Sequence, residues 1–138
     1  NRNHTRKSAE LRAATCARIA IADADAAHAR AQGVEIDDGL AAGEHLGPLE
    51  VVPVPGKSPG EIALFWPQRR LLLVGDALIG DPPGSVRLLR PQVIDDLELL
   101  KKSVRSLLDL DFDTLLVGDG VPILHGAHAA VERLVATF

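Results

Sequence analysis

The sequence predicts an α/β fold with a mixed sheet, and three observations carry that prediction. Two apolar runs, Ile62–Trp66 and Leu71–Val74, are joined through Pro67–Arg70 and read as a hairpin. A further run, Thr114–Val117, reads as a buried strand. Between them, Asp95–Leu108 has helical periodicity: Leu97, Leu100, Val104, Leu107 and Leu108 share one face, while Lys101, Lys102 and Arg105 lie outside it. Strands alternating with an amphipathic helix form layered α/β domains.

The remaining elements follow in chain order. Lys7–Ala14 has helical composition, and Cys16–Ala22 suits a buried strand that places Cys16 inside as an inert thiol. Ala24–Gln32 is an alanine-rich helix that Asp23 would cap and Gly33 would end. Val34–Ile36 reads as a short strand and Asp37–Pro48 as a loop with a strand edge. Leu49–Val54 reads as a strand whose Pro53 suits an edge or a bend. After the hairpin, Gly80–Gly84 is a loop, Val86–Leu89 at most a short strand, and Ala127–Ala136 a closing helix that packs Val131, Leu134 and Val135.

Composition bounds the function. At 138 residues the chain has the length of one domain, 1–138, and 46% hydrophobic residues suffice for a core. A net charge of −4, scattered basic residues and 3% aromatics argue against nucleic acid and anionic membranes as partners. One cysteine excludes an internal disulfide and a cysteine-cluster zinc site, and it fits a reducing, cytoplasmic setting. No apolar run has the length of a membrane span. The chain starts at Asn1 and holds no methionine, which points to a processed or partial chain.

Polar residues gather where strands give way to loops: the initial NRNHTR, then Lys57 and Ser58, then Asp76 after Gly75 and Asp119 after Gly118. Sites in layered α/β proteins collect at such ends, because the scaffold there is rigid and side chains converge. Each acid also suits a plainer role, Asp76 as a cap and Asp119 as part of a GDG turn. His125 and His128 stand three apart at a helix start without a third donor nearby, and His28 and His45 have no partners in sequence.

The order of these points resembles the metallo-β-lactamase superfamily, most closely its glyoxalase II-like hydrolase branch. The segments that carry the resemblance are GKSPGEIALF, LLLVGDAL and DTLLVGDGVPI, within Val54–Leu78 and Phe112–Ile123. It implies an αββα sandwich, here incomplete at the N-terminus, and a site for one or two metal ions. In that family an H-x-H-x-D-H motif, a histidine in a G-H-[ST]-P-G loop, a bridging aspartate and a late histidine hold the metals. Carried over, Asn1 and Asn3 stand at the first two histidines, Thr5 at the aspartate and Arg6 at the last histidine of the first motif. His4 falls on a spacer, Lys57 replaces the loop histidine, Asp119 replaces the late histidine, and Asp76 alone is retained.

Amide oxygens are poor donors for transition metals, and lysine and arginine repel cations. The resemblance therefore implies a metal-free pseudoenzyme with no cofactor, in which Lys57 and Arg6 balance Asp76 and Asp119. Two alternatives stay open. A hydrolase of thioesters, lactones or phosphoesters would use one divalent metal, zinc or manganese, on Asp76, Asp119 and an inward-turned His4. A binding protein would hold a small anionic ligand with Arg6 and Lys57. Exposed edges left by absent strands imply a homodimer or an N-terminal segment as cover.

Overall fold

The computed structural model describes residues 1–2, 4–5 and 7–138. In chain order its elements are α1 (Ser8–Thr15), β1 (Ala20–Ala22), α2 (Asp23–Ala31), β2 (Asp38–Leu40), β3 (His45–Leu46), β4 (Leu49–Pro53), β5 (Ile62–Trp66), β6 (Leu71–Val74), α3 (Leu97–Ser106), β7 (Thr114–Leu116) and α4 (Ala127–Val135). β1 and β2 form a small parallel sheet. The other five strands form a second sheet in the order β3-β4-β5-β6-β7, antiparallel except for the parallel pair β6–β7.

The hairpin β5–β6 has the bounds that the sequence predicts. Its register places Ala63 opposite Val74 and Phe65 opposite Leu72, so these four side chains share the buried face. Onto that face pack Leu100 and Val104 of α3, Val131 of α4, Leu107 and Phe112, with Leu115 of β7 beside Leu72 in the same sheet, all fully buried. Asp96 caps α3 by accepting a hydrogen bond from Leu99 N at 2.9 Å, which starts the helix after Asp95. In α4, Leu134 and Val135 pack at the margin of the same core.

The first forty residues depart from the sequence reading. The strand β1 begins at Ala20, and Cys16 is exposed in a left-handed conformation (φ 58°) that ends α1. Cys16 is therefore not a buried thiol: the run CARIAIA looks apolar, yet its first half is a solvent-facing connection. Asp23 lies inside α2 and makes no capping bond, since the preceding Ala22 holds the N-cap position. Val34–Ile36 is not a strand; pairing with β1 falls on Asp38–Leu40, inside the stretch read as loop. The strand edge expected in that loop is β3, which pairs with Leu49 and Glu50 of β4, while Gly43 and Glu44 just before it bond Val51. Pro53 thus sits where β4 has no neighbour on that side, as its missing N–H requires. Val86–Leu89 forms a single bridge, Ile79 to Arg87, and not a strand.

A second, smaller cluster of Ile21, Ala26 and Ala29 joins β1 to α2. No helix among the described residues is long and apolar enough to cross a membrane.

Candidate functional site

Three stretches of chain converge where β6 ends. Gly75 turns the chain out of the sheet and presents Asp76, whose backbone N donates to Glu61 Oε1 at 3.0 Å. A Cβ at Gly75 would lie 2.6 Å from that same oxygen, so glycine is what admits Glu61 here. Glu61 itself is 2% exposed, and this burial pushes its carboxyl above the ordinary glutamate range.

Lys57 comes from the loop between β4 and β5, which is clamped from two sides. Asp96 N donates to Gly56 O at 2.8 Å and Ser103 Oγ to Pro55 O at 2.7 Å. On the far side Ser58 is fully buried and donates to Asp25 Oδ2 at 2.9 Å. Gly56 has φ 135° and would place a Cβ 2.4 Å from Leu100 N, so only glycine brings the loop this close to α3.

Three donors meet one carboxylate oxygen. Asp76 Oδ2 lies 2.8 Å from His4 Nε2, 3.3 Å from Asn1 Nδ2 and 3.7 Å from Lys57 Nζ. Asn1 Nδ2 also bonds Glu61 Oε2. The side chains of Lys57 and Asp76 are 8% and 10% exposed, so their attraction is screened far less than that of a surface pair. A cavity of about 270 Å³ opens beside them, lined by Asn1, His4, Glu61, Asp76, Gly118 and Asp119 among others. A larger cavity, about 660 Å³, lies away from this chemistry between α1 and the turn at Gly33.

The sequence-predicted residues distribute unevenly around this centre. Asn1, Lys57 and Asp76 come together. Asp119 lines the cavity but is exposed; of the expected balance of Lys57 and Arg6 against Asp76 and Asp119, the described residues display the pair Lys57–Asp76, and the part that falls on Arg6 lies outside them. The Thr5 hydroxyl reaches Gln32 Oε1 at 3.4 Å. Asn3 and Arg6 lie outside the described residues. His4, placed on a spacer by the motif alignment, points at Asp76. The motif spacing fixes order along the chain, whereas this turn is fixed by Arg2 N bonding Asp25 Oδ2 at 2.8 Å. His125 pairs instead with Asp113 at 3.0 Å, and His128 with Leu108 O at 3.0 Å. Sequence reasoning missed Glu61 and Asp25. The signal for Asp25 is an acid on the apolar face of α2, at helical spacing from Ala22 and Ala29.

A family model described as the metallo-beta-lactamase superfamily matches residues 1–138. The chain belongs to the metallo-β-lactamase superfamily. Hydroxyacylglutathione hydrolases (glyoxalase II) from two strains of Cereibacter sphaeroides are 32% identical to it over 135 residues, covering 98% of this chain and 49% of theirs. The chain thus spans about half the length of these relatives. Among solved structures, TTHA1623 in a di-iron-bound form matches with TM-score 0.72 at 24% identity, over 95% of this chain and 70% of that one. ST1585 from Sulfolobus tokodaii, described as an archaeal metallo-β-lactamase superfamily protein, matches with TM-score 0.69 at 13% identity, over 95% and 61% of the two chains. These structural likenesses speak for the fold, which is the metallo-β-lactamase fold.

Because TTHA1623, which shares this fold, is in a di-iron-bound form, the question is whether the residues here fit a metal. They do not. Among the described residues no group of three histidine, cysteine, aspartate or glutamate side chains is arranged to hold an ion. The Asp76 carboxylate oxygen lies beside an ammonium, and a cation placed there would meet the charge of Lys57.

Proposed function

We propose that this metallo-β-lactamase domain is non-catalytic and serves in binding or structure, with a buried charge cluster standing where relatives hold metal. The observation that carries this reading is the placement of Lys57 Nζ 3.7 Å from Asp76 Oδ2 in a nearly solvent-free setting. The ammonium neutralises the retained acid, and His4 and Asn1 satisfy the same oxygen by hydrogen bonding. Without a metal to lower its pKa, water in the cavity is a poor nucleophile at neutral pH. An anionic ligand is less well supported, since Glu61, Asp76 and Asp119 all line the cavity. A cytoplasmic setting, where the exposed Cys16 thiol stays reduced, suits this reading.

The reading also has the domain act through another chain, a second copy first. In support, α1 buries none of its residues and leaves Leu11 62% exposed. Sedimentation of the purified chain as a dimer is the expected result; a stable monomer at all concentrations removes self-association.

A second reading, a hydrolase of thioesters, lactones or phosphoesters with one divalent ion, draws on His4. Its imidazole is turned inward to Asp76, as such a site requires. Elemental mass spectrometry after growth and dialysis with zinc, manganese and iron separates the two. Less than about a tenth of an equivalent of each is expected from the weak donor set. Near-stoichiometric metal with thioester hydrolysis that depends on it would overturn the non-catalytic reading.

A further inference from the structure

A buried acid outside the cavity ties the two halves of the cluster together. Asp25, in the first turn of α2, is fully buried, and its carboxylate serves two other stretches of chain. Oδ1 accepts from Gly60 N at 3.0 Å. Oδ2 accepts from Ser58 Oγ at 2.9 Å and from Arg2 N at 2.8 Å. Gly60 comes so close that a Cβ there would lie 2.5 Å from Asp25 Cγ. Ser58 is the neighbour of Lys57, and Arg2 stands between Asn1 and His4.

Among the described residues no cation pairs with Asp25. Among those residues, three donors meet its carboxylate at the N-terminal end of α2. An isolated buried carboxylate is costly unless such partners surround it, so a plain packing role would be served better by an apolar side chain. What the carboxylate supplies, and an apolar residue could not, is a fixed distance between the segment carrying His4 and the loop carrying Lys57. The other end of that loop is held independently by α3, through Asp96 N to Gly56 O and Ser103 Oγ to Pro55 O.

We propose that Asp25 is the positioning residue of the cluster, its single carboxylate setting the spacing at which Lys57 and His4 both reach Asp76. This deepens the charge-cluster reading and rests on it for the roles of Lys57 and His4.

The test is the shielding of Lys57, which is 7% exposed, whereas the Lys7 side chain is 75% exposed. Acetic anhydride labels accessible amines, and peptide mass spectrometry of the folded full chain gives a rate for each lysine. Asp25→Asn turns an amide N–H toward at least one of three donors, and Lys57 labelling is expected to rise at least tenfold while Lys7 is unchanged. Ser58→Ala removes one donor, is expected to raise Lys57 labelling by a smaller factor, and carries the test if Asp25→Asn does not fold. Val131→Ala lowers stability from α4, outside the loop, and is expected to leave Lys57 shielded. Parent-like Lys57 labelling in folded Asp25→Asn and in Ser58→Ala overturns the proposal. So does an equal rise in Val131→Ala, because Asp25 would then act through stability alone. Metal analysis tests the non-catalytic reading separately: bound metal together with Asp25-dependent shielding would defeat that reading and leave this one standing.

Discussion

Lys57 Nζ and Asp76 Oδ2 lie 3.7 Å apart with both side chains about nine-tenths buried, an ion pair at the end of β6. Removing one partner of a buried pair leaves an uncompensated charge, which costs about 3–5 kcal/mol. Lys57→Ala is therefore expected to lower the free energy of unfolding by that order in urea denaturation. An unchanged midpoint would mean that the pair contributes nothing and that Lys57 has another role.

Because Asp76 Oδ2 is shared, His4 and Lys57 are not independent. Side chains on one acceptor couple by roughly 0.5–3 kcal/mol in double-mutant cycles. The combined loss in His4→Ala/Lys57→Ala is expected to differ from the sum of the single losses. Strict additivity would separate His4 from the cluster.

Gly56→Ala tests the loop that carries Lys57. Its φ of 135° and the 2.4 Å approach of a Cβ to Leu100 N leave no room without moving backbone. Strain of about 1–3 kcal/mol is expected, together with greater Lys57 accessibility. A fully stable variant would show that α3 can shift at no cost.

Phe112 is fully buried in the main core, in ring contact with His128 at 5.2 Å between centroids. Phe112→Ala is expected to destabilise by about 3–5 kcal/mol. A loss under about 1 kcal/mol would indicate that the core under α4 collapses to fill the space.

Asp113 provides a pH signature. Its carboxyl is held below the ordinary aspartate range by the Gly126 N–H at 2.7 Å and then by His125. A lowered folded pKa gives stability that is present above the unfolded pKa and fades as pH falls through the folded one. Asp113→Asn is expected to melt below the parent at neutral pH, with the gap closing in acid below pH about 4. A gap that persists unchanged into strong acid would assign the difference to something other than ionisation.

Periodicity and alternation determined β5, β6 and α3 closely, because each of these elements buries one face on a shared core and its sequence repeats with its own geometry. The segments around Lys57 and Asp76 likewise carried the resemblance to the family to which the chain belongs. The first forty residues were less legible. Their strands have three residues each, too short to show a period, and a run such as CARIAIA reads apolar whether it is covered or not. Only the tertiary structure decided that His4 turns to Asp76, that Asp119 stays exposed, and that Asp25 and Glu61 belong to the story. The places of His4, Asp25 and Glu61 depend on contacts between residues 15 to 75 positions apart, and local sequence carries no record of which donor a buried carboxylate will meet.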